Sequence, residues 1–114
     1  MRKITKIFQA LSDTNRIRIL KMLEVRPLCV CEITEILKLA PSTVSKHLSI
    51  LRDAGFIVDE KEGKWVNYYL SHEQDNEYVK ELMPLIKNWL QDEDKIRLDL
   101  EKVKTVDRNI LCGS

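Results

Sequence analysis

The stretch Pro41-Ser42-Thr43-Val44-Ser45-Lys46-His47-Leu48-Ser49-Ile50-Leu51-Arg52-Asp53-Ala54-Gly55 reads as one helix with both ends marked. Pro41 suits the first helical position, where its missing N–H leaves no hydrogen bond unmade. Val44, Leu48 and Leu51 recur at three- and four-residue steps and form the buried face. Gly55 stands where a left-handed C-terminal cap is wanted. Ser42, Thr43, Ser45, Lys46 and Ser49 are left facing outward. Small hydroxyls let a helix approach a groove closely while donating to phosphates or base edges, and Lys46 adds charge toward a phosphate backbone. For His47 two roles stand side by side, a phosphate contact and a brace for helix packing.

Just upstream, about Cys31 to Lys38 forms a short helix with Ile33, Ile36 and Leu37 inward, and Leu39-Ala40-Pro41 is a tight break. Two short helices joined by such a turn make a helix-turn-helix pattern over about 30–54. The competing reading is a small helical core with a solvated, hydroxyl-rich face. The next segment favours the first. Phe56 to Lys61 is rich in strand formers, Glu62-Gly63-Lys64 can turn, and Trp65 to Leu70 alternates as a second strand. This hairpin, over 56–70, is a wing whose Lys61 and Lys64 could reach a neighbouring groove or strand.

Before the motif, Ile4, Ile7, Phe8 and Leu11 mark a first amphipathic helix, and Ser12-Asp13-Thr14-Asn15 ends it and starts a second. The second carries Ile17, Leu20 and Leu23 as its apolar stripe, with Arg16, Arg18 and Lys21 around it, and stops at Pro27. After the wing, about 73–105 is helical, with Pro84 as a kink or boundary and Tyr78, Leu82, Leu85, Ile86 and Trp89 on one face. Residues 106–114 are a tail. The expected fold is mostly α with a β-hairpin wing, a single winged helix-turn-helix domain over 1–114.

A chain of 114 residues is about one domain's worth, and three Gly and three Pro leave little room for linkers. No apolar run approaches the roughly 20 residues a membrane span needs, and the start does not read as a secretory signal. A cytoplasmic protein with reduced thiols is expected, without membrane contact. The net charge of +1 hides a split: residues 1–70 hold 12 Lys+Arg against 8 Asp+Glu, and residues 71–114 hold 7 against 10. The first part is therefore the one suited to face a polyanion.

Cys29 and Cys31 sit two apart at a helix start. Inside a regular helix such residues diverge by about 200°, but extended or turn backbone at a terminus lets their sulfurs converge. The positive end of the helix dipole favours thiolate there. Thiolates select soft ions, whereas the alternative is two small buried hydrophobes. A Cys-nucleophile enzyme finds no general base at supporting spacing, so no enzyme is expected.

LCVCEI at 28–33, STVSKHLSILRDAGFI at 42–57 and KEGKWVNYYLS at 61–71, with DTNRIRILKML at 13–23, resemble the ArsR/SmtB family of metal- and metalloid-sensing winged-helix repressors. The resemblance implies a homodimer built from the first and last helices that presents two recognition helices to palindromic, double-stranded operator DNA. Ala40-Pro41 stands where many members carry a Ser-Gln pair, so any contact from that Gln is absent. The resemblance also implies that Cys29 and Cys31 bind the inducer, arsenite or antimonite, with cadmium or lead as alternatives. The usual third thiolate position holds Thr34, and Cys112 of the tail, from the same chain or its mate, is the candidate to replace it. No cofactor is implied for DNA binding itself. A thiol-based redox or persulfide sensor of the same fold is the other reading of these cysteines.

Overall fold

The computed structural model describes residues 1–72 and 76–111. Its elements are α1 (Arg2–Leu11), α2 (Thr14–Leu23), β1 (Leu28–Cys29), α3 (Val30–Leu37), α4 (Pro41–Asp53), β2 (Ile57–Glu62), β3 (Trp65–Leu70), α5 (Glu77–Asn88), α6 (Asp94–Thr105) and α7 (Arg108–Leu111). The strands form one antiparallel sheet in the order β1-β3-β2. Ile7, Ile19, Leu20, Met22, Ile33, Val44, Leu48, Leu51 and Phe56 are fully buried and make a core shared by α1 to α4 and the base of the wing.

The local signals of the helix-turn-helix act as expected. Pro41 takes the first position of α4, and Ala40 before it offers no side-chain cap. Gly55 follows the α4 C-terminus at φ +92°, a conformation that costs other residues strain. A Cβ there would make only ordinary contact with Asn76 Nδ2, at 3.5 Å, so the backbone conformation is what calls for glycine. Asn76 caps α5 by accepting from the backbone N–H groups of Tyr78 and Val79, and its amide donates to Ala54 O at 3.3 Å. The end of α4 and the start of α5 are thus held together.

Three features depart from the sequence reading. The helical stretch after the wing is two helices, and the break falls at Trp89–Glu93 rather than at Pro84, which lies inside α5. Leu90 takes φ +67° in that break, and Trp89 is left about half exposed. Leu28 and Cys29 form a short third strand, opposite Tyr68 and Asn67 respectively. Finally, the basic rim of α2 is buried, because α2 is the central helix rather than a surface one. Arg16, Arg18 and Lys21 are each at most 9% exposed and bonded inside the molecule. Lys21 Nζ donates to Ile86 O at 2.9 Å and Lys87 O at 3.3 Å, and it pairs with Glu24 at 3.0 Å. These three charges are therefore not part of an outward basic face.

The start of α2 depends on Asp13, whose carboxylate accepts from Asn15 N at 2.7 Å and Arg16 N at 3.3 Å. Partial burial pushes this carboxyl up, but the two N–H groups, with the Arg16 charge nearby, outweigh it and hold it below its ordinary 3.8. Asp13→Ala is expected to cost about 1 kcal/mol at neutral pH, measured as a fall in the urea midpoint. Because the folded-state value is depressed, this contribution is present above 3.8 and lost as pH falls through the folded value. The two proteins should then converge in acid.

Candidate nucleic-acid interface and thiol site

Val44, Leu48 and Leu51 are completely buried, which turns the opposite face of α4 outward. Ser42, Thr43, Ser45 and Lys46 are exposed on it, and His47 is half-buried. Ser42, Thr43, Lys46 and His47 line a shallow hollow together with Ile50 and Arg16. Arg16 was not singled out by its sequence context, since nothing local to α2 indicates that it meets α4. Its Nη1 lies 3.1 Å from His47 Nδ1, while Nε donates to Ala10 O at 2.9 Å and Nη2 to Gln9 O at 3.0 Å.

The wing turns at Gly63-Lys64, two residues between the paired Glu62 and Trp65. Gly63 has φ +60°, as the first position of a type II′ hairpin turn requires. Lys61 and Lys64 are both exposed, and Lys64 Nζ sits 4.9 Å from the centroid of the Trp65 ring. Two arginines hold the wing in place. Arg52 of α4 pairs with Asp59 of β2 at 3.0 Å. Arg108 of α7 donates to Asn67 Oδ1 at 2.8 Å and to Glu62 Oε1 at 3.0 Å, and its guanidinium stands 5.1 Å from the Trp65 centroid. The chain after α6 is thus partly a structural element, a helical turn fastened to the wing, and not only a tail.

Cys29 and Cys31 flank the start of α3 as the sequence suggested. Cys29 is extended (φ −95°, ψ 170°) and is the N-cap, and Cys31 is in the first turn. The sulfur of Cys29 accepts from the Glu32 backbone N–H, and Glu32 Oε1 accepts from Cys29 N–H at 3.0 Å. This is a capping box with Cys in the place of Ser or Thr, legible in sequence as Cys29-x-x-Glu32. Glu32 is buried and pairs with Arg26 at 3.2 Å. Arg26 in turn donates to Val103 O at 3.0 Å and Val106 O at 2.9 Å, so the cysteine turn is tied to the end of α6.

The electrostatic expectation for this turn is reversed at Cys29. The residue is 3% exposed, and burial pushes its thiol above the ordinary 9.0. The Glu32 carboxylate adds to that, and the N–H groups of Glu32 and Cys31 offset it only in part. Loss of water outweighs a helix end of so few turns. The expectation of reduced thiols holds for Cys29, which is free, but Cys31 is disulfide-bonded. Cys112 lies outside the described residues. Among the described residues, no three His, Cys, Asp or Glu side chains come together as a metal-holding group. No helix among them is long and apolar enough to cross a membrane.

A family model described as "Bacterial regulatory protein, arsR family" matches residues 13–58, from the start of α2 into β2. The arsenical resistance operon repressor of Escherichia coli (strain K12) is 33% identical over 108 residues, which are 92% of this chain and 82% of that protein. A cadmium resistance transcriptional regulatory protein CadC homolog of Staphylococcus aureus is 40% identical over 81 residues, 70% of this chain and 64% of that one. Among solved structures, the homodimeric winged helix-turn-helix DNA-binding domain from Mycobacterium bovis superposes with a TM-score of 0.64. That match covers 76% of this chain and 77% of the other at 23% identity, and it identifies the fold as a winged helix-turn-helix.

Proposed function

Since the chain belongs to the arsR family of bacterial regulatory proteins, transcriptional repressors rather than enzymes, we propose that it is a dimeric repressor released from its operator by a soft metalloid bound at Cys29 and Cys31. The observation that carries this reading is the position of the two cysteines. They flank the first residue of α3, and α3 packs on α4. A ligand that draws both sulfurs together must reshape the capping turn, and with it the helix on which α4 rests. Ser42, Thr43, Ser45 and Lys46 are assigned to the DNA, with His47 beside them and Lys61 and Lys64 reaching from the wing. Arsenite or antimonite, which prefers three sulfurs in a pyramid, is the inducer class, with cadmium or lead as alternatives. Cys112 is the proposed third sulfur. DNA binding itself needs no cofactor.

The dimer is assigned to α1 and the helices after the wing. Ile4, Phe8, Tyr78, Leu82 and Leu85 line an apolar groove between α1 and α5, with Phe8 63% and Leu85 48% exposed. Exposed apolar surface of that kind is what a second copy would cover.

The test is fluorescence anisotropy of an operator fragment taken from upstream of the protein's own gene, with and without arsenite, in reductant and at one stated salt concentration. A coupling of about 1–3 kcal/mol lowers operator affinity about 5- to 150-fold. Binding that ignores arsenite but yields to cadmium or lead changes the inducer. Absence of any operator binding overturns the reading.

The disulfide on Cys31 supports a second reading, a thiol sensor in which two thiols pass two electrons and two protons to a peroxide. Release by peroxide with no response to arsenite would select it.

A further inference from the structure

We propose that Arg16 is a positioning residue for DNA reading, which holds His47 of the recognition helix as the tautomer that donates from Nε2. A guanidinium has only N–H donors and stays charged, so the ring nitrogen it faces must accept. Arg16 Nη1 lies 3.1 Å from His47 Nδ1. The neutral ring therefore carries its proton on Nε2. Phosphate oxygens only accept, so this is the tautomer that can contact a DNA backbone.

Arg16 is well fixed for this task. It is 9% exposed, and its Nε and Nη2 are committed to Ala10 O and Gln9 O at the end of α1. The Asp13 carboxylate, which caps the same turn, accepts from the Arg16 backbone N–H at 3.3 Å and so fixes the start of the helix that carries Arg16. A side chain so tied does not swing out to reach DNA; it acts through its neighbour. The ring it orients shares a hollow with Ser42, Thr43 and Lys46, the groups already assigned to the operator. Sequence separation conceals the pair, which lies 31 residues apart.

The inference rests on the reading of α4 as the DNA-contacting helix, and its test separates the two. Long-range proton–nitrogen correlation spectra of the full chain, without DNA, read the His47 tautomer directly. The Nε2–H form is expected in the unmodified protein, and a mixture in Arg16→Gln. An Nδ1–H ring in the unmodified protein overturns the proposal and needs no variant to fold. Operator anisotropy at fixed salt then compares Arg16→Gln, His47→Ala and the double variant. Each single change is expected to weaken binding about five- to tenfold, the scale of one hydrogen bond, and the double no further. Losses that multiply in the double variant overturn the positioning role and leave Arg16 as an anchor of α1 alone. His47→Gln, whose amide can accept from Arg16 and donate outward, should recover most of the affinity in the Arg16 background and none in Arg16→Gln. If the unmodified protein holds the Nε2–H tautomer but His47→Ala binds operator normally, the DNA contact fails and the proposal with it.

Discussion

Asp99→Ala is expected to destabilise the protein by about 3–5 kcal/mol, the scale measured for breaking one side of a buried ion pair. Arg18 Nε and Asp99 Oδ2 are 2.7 Å apart, and Arg18 Nη2 donates to Asp99 Oδ1 at 2.9 Å, a two-point fork between α2 and α6. The side chains are 11% and 3% exposed, so solvent screens little of the interaction. Removing the carboxylate leaves a buried guanidinium whose remaining side-chain partner is Asn15 Oδ1, at 3.1 Å. A domain of ordinary stability has about 5–15 kcal/mol in total, so the variant should lie close to its unfolding threshold. The measurement is urea unfolding at neutral pH, with the midpoint falling and the slope unchanged. An apolar pair, Arg18→Met with Asp99→Leu, should recover much of the loss, because it removes both desolvation penalties. A single-variant loss below about 1 kcal/mol would place the pair among surface bridges. Function should follow stability, since Arg26 hangs the cysteine turn on the far end of the same helix α6.

The second large effect concerns the cysteines. Cys29→Ser combined with Cys31→Ser should keep operator affinity within about twofold yet abolish release by arsenite, against about 5- to 150-fold in the unmodified protein. The fold argues for the first half of that result. Cys29 is an N-cap whose sulfur accepts from the Glu32 N–H, and a serine hydroxyl is the better group for that role. Serine at 29 therefore keeps the capping box and removes the thiol, and in reductant neither protein holds the Cys31 disulfide, so the comparison reads thiolate chemistry. An inducible double variant would dismiss the thiol site.

The raised thiol of Cys29 adds a sign to the pH dependence. A divalent ion such as cadmium or lead releases that proton on binding, so its affinity should fall as pH falls. With arsenite, As(OH)3, the proton leaves with a displaced hydroxide as water, and the affinity should change little between about pH 6 and 8. In stability the raised folded-state value acts the other way. Its contribution is present in full below about 9.0 and is lost as pH rises through the folded-state value, and Cys29→Ser should remove that alkaline loss.

What could be read from the sequence alone is what depends on neighbours along the chain. Val44, Leu48 and Leu51 recur at helical spacing, and Pro41 and Gly55 bracket them, so α4 and its outward hydroxyls follow from local rules. Gly63 at the turn does the same for the wing. The Cys29-x-x-Glu32 spacing was present too, concealed by a cysteine in a position where serine is usual. Tertiary structure decided the rest. Whether the basic residues of α2 face water or the interior depends on α2 being wrapped by other helices, which periodicity along α2 does not report. Arg18 meets Asp99 across 81 positions, and Arg108 meets Asn67 across 41. Such pairings exist only once the loops between them have closed, and no local propensity encodes that closure. The same holds for the thiol of Cys29. A helix end argues for thiolate from sequence position, but the loss of water that reverses the argument comes from burial of Cys29 in the folded chain.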